Sequence, residues 1–106
     1  MPMNKSIKLE KPIELHGKKS PEIEIKEPSG ALYVKLGDPR LLVFNPSGSG
    51  YWIEQNETIK AYLEALLDHP LGGDVVALLS LRDVMALKEA LFDFFTSAAE
   101  RRAATK

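Results

Sequence analysis

The sequence predicts an α+β domain in which N-terminal antiparallel β-hairpins precede two main C-terminal helices packed on one face of a small sheet. Three observations predict it. Apolar residues alternate with Lys and Glu at period two between Ile7 and Ile25, and they recur at helical spacing over 56–69 and 80–100. Prolines at 12, 21, 28, 39, 46 and 70 mark boundaries, because the residue before proline is pushed out of the helical region. The 106 residues are read as a single domain, long enough for a modest core.

The first hairpin is expected over 6–28. Ile7, Leu9, Ile13 and Leu15 form one half-buried strand, Ile23 and Ile25 lie in its partner, and Gly17 joins them. Pro12 makes the first an edge or kinked strand. After Glu27-Pro28-Ser29-Gly30, residues Ala31 to Leu36 suit a short helix capped by Ser29 and stopped by Gly37, although Tyr33 and Val34 suit a strand as well. The second hairpin is expected over 41–54, with Leu41–Phe44 and Tyr51–Glu54 flanking the turn-rich Asn45-Pro46-Ser47-Gly48-Ser49-Gly50. Adjacent strand residues point to opposite faces, so one of Tyr51 and Trp52 is expected in the core and the other on the surface.

Asn56 is the expected cap of the helix over 56–69, on which Ile59, Tyr62, Leu63, Leu66 and Leu67 share a face. His69 before Pro70 closes it, as a cation favoured by the helix dipole. Asp74 is placed at the start of a short turn through Val75 to Leu79. Ser80 with Asp83 then forms an imperfect capping box for the last helix, over 80–100. From Arg101 onward fraying is expected. On that last helix Val84, Leu87, Leu91, Phe94, Phe95 and Ala98 share one face, and Leu81, Met85, Phe92 and Ala99 form a second ridge. Together they span about half the circumference, wider than the ~100° stripe that one core requires. The second ridge is either covered by the domain itself or faces another chain.

With 44% hydrophobic and 27% charged residues, the composition is that of a soluble globular chain. Basic and acidic residues number 14 and 15, so no global charge recruits nucleic acid or an anionic membrane. The short basic clusters Lys18-Lys19 and Arg101-Arg102 are not interleaved with aromatics. Without cysteine there are no disulfides, thiolate metal sites or thiol chemistry. There is no apolar signal core and no run near the ~20 apolar residues of a membrane span, so a cytoplasmic location is expected.

Groups for catalysis are few. His16 and His69 each lack a second ligand at metal spacing. Gly48-Ser49-Gly50 resembles a phosphate-cradling loop in composition, but it leads into Tyr51-Trp52-Ile53 rather than a helix N-terminus, so a hairpin turn is expected. Asp38-Pro39-Arg40 reads as a turn, and Glu54 and Glu57 as carboxylates at a helix start. No enzyme activity, cofactor or metal is expected. The candidate partner-binding residues are Leu81, Met85, Phe92, Phe95 and Trp52.

Two segments and their order carry a family resemblance. Ile7-Lys8-Leu9-Glu10-Lys11-Pro12-Ile13-Glu14-Leu15-His16-Gly17-Lys18 with Ile23-Glu24-Ile25-Lys26-Glu27-Pro28, and Leu79 to Phe95 with its phenylalanine-rich final turn, resemble the leading hairpin and terminal helix of the small tail assembly chaperones of contractile-tailed, Mu-like bacteriophages. The resemblance implies a protein that holds the aggregation-prone tape measure protein while tail tube subunits assemble around it in the host cytoplasm. It also implies that some relatives are made in a longer, frameshifted form. The segment Leu36 to Glu54 departs from the family pattern and resembles an added hairpin and contact surface. The competing expectation is a small structural or regulatory subunit that homo-oligomerises through its C-terminal helix.

Overall fold

A computed structural model describes residues 4–104, with side chains through 100. Strands β1 (Lys5–Leu15) and β2 (Lys18–Ile25) form the leading hairpin, followed by α1 (Gly30–Leu36), β3 (Arg40–Phe44) and β4 (Gly50–Glu54). Then come α2 (Asn56–Leu66), β5 (Leu67–Asp68), a 3₁₀ segment (Gly72–Leu78) and α3 (Leu81–Ala104). The expected α+β layout is observed. Its strands, however, divide into two sheets, of order β1-β2-β5 and β3-β4.

His16 and Gly17 both take positive φ, 52° and 77°, which is what a two-residue hairpin turn requires to match strand twist. β1 is an edge strand, as Pro12 demands, and it bulges strongly. Lys8 pairs with Glu22 and Ile13 with Ser20, so residues 9–12 face only Pro21. Asp83 holds this bulge from across the core: its carboxylate accepts the backbone N–H of Glu10 at 2.8 Å and of Lys11 at 3.1 Å. The capping box is therefore one-sided. The Asp83 N–H donates to Ser80 Oγ at 3.2 Å, and the backbone amides that its carboxylate accepts are those of Glu10 and Lys11 in β1.

Ser29 caps α1 by accepting the Leu32 N–H, and Gly37, at φ 81°, ends it with a bond to the Tyr33 carbonyl, as expected. For α2 the expectation needs correction. Gln55, not Asn56, flanks its start, without a side-chain cap, and the helix stops at Leu66 rather than 69. The Lys26 N–H donates to the Leu66 carbonyl at 2.9 Å, and Leu67 and Asp68 turn into a strand on Ile25 and Glu24. Sheet pairing thus outcompetes one more turn of helix. His69 lies beyond the end of α2, not at it, and its Nδ1 accepts the Leu71 N–H, so His69 organises the following turn. The 3₁₀ segment starts at Gly72, before Asp74, and α3 runs beyond the expected 100 to Ala104. The side chains of the Arg101-Arg102 cluster lie outside the described residues.

The core lies between the inner face of the first sheet (Leu9, Ile13, Ile23, Ile25) and the helices, which contribute Ile59, Tyr62, Leu63 and Leu66 from α2 and Leu87, Leu91 and Phe94 from α3. Val75 of the 3₁₀ segment is fully buried beside them. The 3₁₀ segment approaches α2 so closely that a Cβ on Gly73 would lie 2.8 Å from Glu64 Cα. Backbone, not a flexible side-chain end, blocks it. Gly73→Ala is expected to lower the unfolding free energy by about 2 kcal/mol in urea titration, the magnitude of an overpacked core.

Candidate functional site

α3 presents two apolar surfaces. Leu87, Ala90, Leu91 and Phe94 face the sheet, and Lys5 Nζ lies 5.0 Å from the Phe94 ring centre. The second ridge carries Leu81, Met85, Lys88 and Phe92 and ends at Ala99, a run of about 27 Å at the helical rise of 1.5 Å per residue. Its N-terminal half is open, with Leu81 76% and Met85 48% exposed. Phe92 is not open: it is buried at 7%. The expectation that Phe92 presents itself to a partner is therefore corrected, for the root of the second hairpin covers it.

Arg40 does the covering. Its guanidinium carbon lies 4.4 Å from the Phe92 ring centre and 4.0 Å from that of Trp52, so the cation sits between two aromatic faces. One step along, Lys88 Nζ bonds Glu54 Oε1 at 2.8 Å. These contacts fasten the base of the hairpin to α3. The pairing register places Arg40, Leu42 and Phe44 on the same face as Glu54, Trp52 and Gly50, and Leu41, Val43, Tyr51 and Ile53 on the other. Neither face beyond the root is covered by a layer of the domain. Consequently Tyr51 (49%) and Trp52 (52%) are both exposed, against the expectation that one is core.

The hairpin turn is built by Asn45. Its side-chain oxygen accepts the N–H of Ser47 and of Ser49, each at 3.1 Å, and its carbonyl accepts the Gly48 N–H at 2.9 Å. Gly48, at φ 91°, supplies the left-handed residue that a three-residue hairpin loop needs. The amides of the Ser-Gly-Ser-Gly stretch are thereby engaged within the turn, as the hairpin reading expects, and none of these three is aimed at a phosphate.

Between the start of α1, the hairpin root and the last turns of α3 lies an open groove of about 830 Å³. Its lining includes Pro28, Tyr33, Arg40, Trp52, Phe92 and Phe95, with the carboxylates of Glu27, Asp38 and Glu100. Phe95 is half-buried and locks the floor: its ring lies 5.4 Å from Tyr62, edge to face, and 5.6 Å from Tyr33. Tyr62, fully buried, donates its hydroxyl to the Gly37 carbonyl at 2.6 Å. Burial first, then the Asp38 carboxylate and Tyr33, push the Tyr62 phenol up to about 12, so it remains a hydrogen-bond donor at neutral pH. Asp38 accepts the Tyr33 hydroxyl at 3.1 Å, which gives the Asp-Pro-Arg turn a structural use.

Three of the five sequence-derived residues, Trp52, Phe92 and Phe95, converge on this groove, while Leu81 and Met85 continue the same α3 face beyond it. Arg40, Tyr33 and Pro28 were not legible as members. Arg40 is recoverable only once the Asn45 turn fixes the register that sets it on the Trp52 face. Among the described residues no group of three or more His, Asp or Glu converges to hold a metal ion, and no helix is long and apolar enough to cross a membrane. The fold and groove define an α+β domain with an aromatic, cation-stacked cleft beside an exposed apolar helix face. No protein-family model matches the chain, and no curated protein or solved structure was found to be similar to it.

Proposed function

We propose that this chain is a non-enzymatic tail assembly chaperone of a phage or prophage, acting in the bacterial cytoplasm to hold the tape measure protein while tail tube components assemble. The observation that carries the reading is that the aromatic groove and the open Leu81–Met85 stretch lie along one ridge of α3, on either side of the point where Lys88 and Phe92 receive the root of the second hairpin. A long helical client is soluble only while its apolar stripe is covered, and a groove walled by rings beside a helix face suits an amphipathic helix laid lengthwise. Met85 adds an adaptable contact, since an unbranched thioether fits varied partners. Arg40, stacked between Trp52 and Phe92, offers hydrogen-bond donors at the groove edge to acidic or carbonyl groups of the client.

Trp52 makes the proposal directly measurable, because it is the sole tryptophan, half-exposed, and at the groove wall. Titration with helical segments of the tape measure protein is expected to shift its emission to shorter wavelength in a saturable way as water is displaced from the indole. A flat titration across the whole client sequence would remove the reading.

A further inference from the structure

We propose that the β3-β4 hairpin is the contact through which two copies of this chain associate. The inference goes beyond client binding and uses different residues. Leu41, Leu42, Phe44, Tyr51 and Ile53 are 43–64% exposed. With side chains of roughly 150–250 Å² for the aromatics, these exposures leave on the order of 500 Å² of apolar surface per copy, divided between the two faces of the hairpin, so a contact along its edge reaches both whereas one face alone falls well short of the ~800 Å² per partner of a standard interface. Exposed apolar surface of this size on a small domain often serves an interaction.

Charge and topology select the occupant. From Leu41 to Ile53 there is no charged residue, in a chain that is 27% charged. A twofold contact sets a surface against itself, which a neutral apolar patch tolerates and a charged one does not. Both outer edges of this two-stranded sheet are unpaired among the described residues. The Asn45 N–H bonds the Ser49 carbonyl and the Gln55 N–H bonds the Pro39 carbonyl. By antiparallel alternation the backbone groups of Leu42, Phe44 and Trp52 then face outward. The strand charges, Arg40 and Glu54, lie at the root, and between Leu41 and Ile53 no Lys or other charge guards those edges in the way monomeric sheets normally do. A two-stranded hairpin is also marginal in water alone. Its cover must be present whenever the chain is folded, and a second copy is the partner that always is.

Sedimentation equilibrium of the purified chain tests this. Wild type is expected at twice the mass of one chain. Phe44→Lys and Tyr51→Lys, on opposite faces, are each expected to raise the dissociation constant at least about thirtyfold, the size of a hot-spot loss, with far-UV circular dichroism unchanged. Leu81→Asp is expected to leave the dimer intact. A monomeric wild type would overturn the proposal, as would a dimer that survives both lysine variants and dissociates with Leu81→Asp. Hairpin amides protected from hydrogen exchange only when a client segment is added to a monomer would assign the edges to the client instead.

Discussion

Replacing Asp83 with alanine is expected to lower the unfolding free energy by about 3 kcal/mol, read as a shift of the urea midpoint. The reason is specific to the bulge. Residues 9–12 of β1 lack cross-strand partners, and the Glu10 and Lys11 amides depend on one buried carboxylate, 3% exposed. Hydrogen bonds to a charged acceptor contribute about 1.5–3 kcal/mol each, and their joint loss leaves two amides without their acceptor. A domain of this size has roughly 5–15 kcal/mol in total, so the loss is a large fraction. Asp83→Asn is expected to fall between, since its amide retains one acceptor oxygen and turns a second donor toward an N–H.

The same carboxylate gives a pH signature. Burial acts to raise the Asp83 pKa, but the Glu10 and Lys11 amides, Ser80 and the Arg82 charge outweigh it and hold the group below its ordinary value. With the folded pKa depressed, the unfolded chain binds the proton more readily. The stabilisation is therefore complete above the unfolded value, about 3.9, and is lost as pH falls through the folded one. Acid titration of stability should be steeper below about pH 4 in wild type than in Asp83→Asn. Equal slopes would show that Asp83 carries no linkage.

The second large effect separates two residues that lie on the same α3 ridge. Phe92→Ala is expected to cost about 3 kcal/mol, because it removes a ring that is 7% exposed and leaves Arg40 stacked on Trp52 alone. Met85→Ala, at a side chain 48% exposed, is expected to stay within about 0.5 kcal/mol of wild type. Comparable losses at both sites would mean that the ridge is uniformly core and that no open client surface exists on that side of α3.

This contrast also marks what the sequence could and could not convey. Periodicity revealed both surfaces of α3, because the repeat of 3.6 residues is a local property. It could not reveal that Arg40, fifty-two positions earlier, covers Phe92, since that depends on where the second hairpin is fastened. The two β-prone runs and the turn-rich linker between them located the hairpin to within a residue. Yet alternation assumes one buried face, and here neither face is packed beyond the root, so Tyr51 and Trp52 are both outside. At the end of α2, Leu67 continued the helical pattern, but its pairing with Ile25 in the sheet is a tertiary choice. Asp83 sat at a capping position, and only the bulge created by Pro12 opposite Pro21 explains why its carboxylate serves another element.

In the function proposed above, the open α3 face and the groove beside it hold a long helical client. Co-expression of the tagged chain with the long helical protein encoded nearby tests it most directly, by asking whether the client is retained in soluble form. Wild type is expected to retain it and Leu81→Asp/Met85→Asp to lose it, a double variant that alters only exposed positions and is expected to keep its circular dichroism. Retention that is indifferent to both changes, or a folded chain that never retains the client, would contradict it.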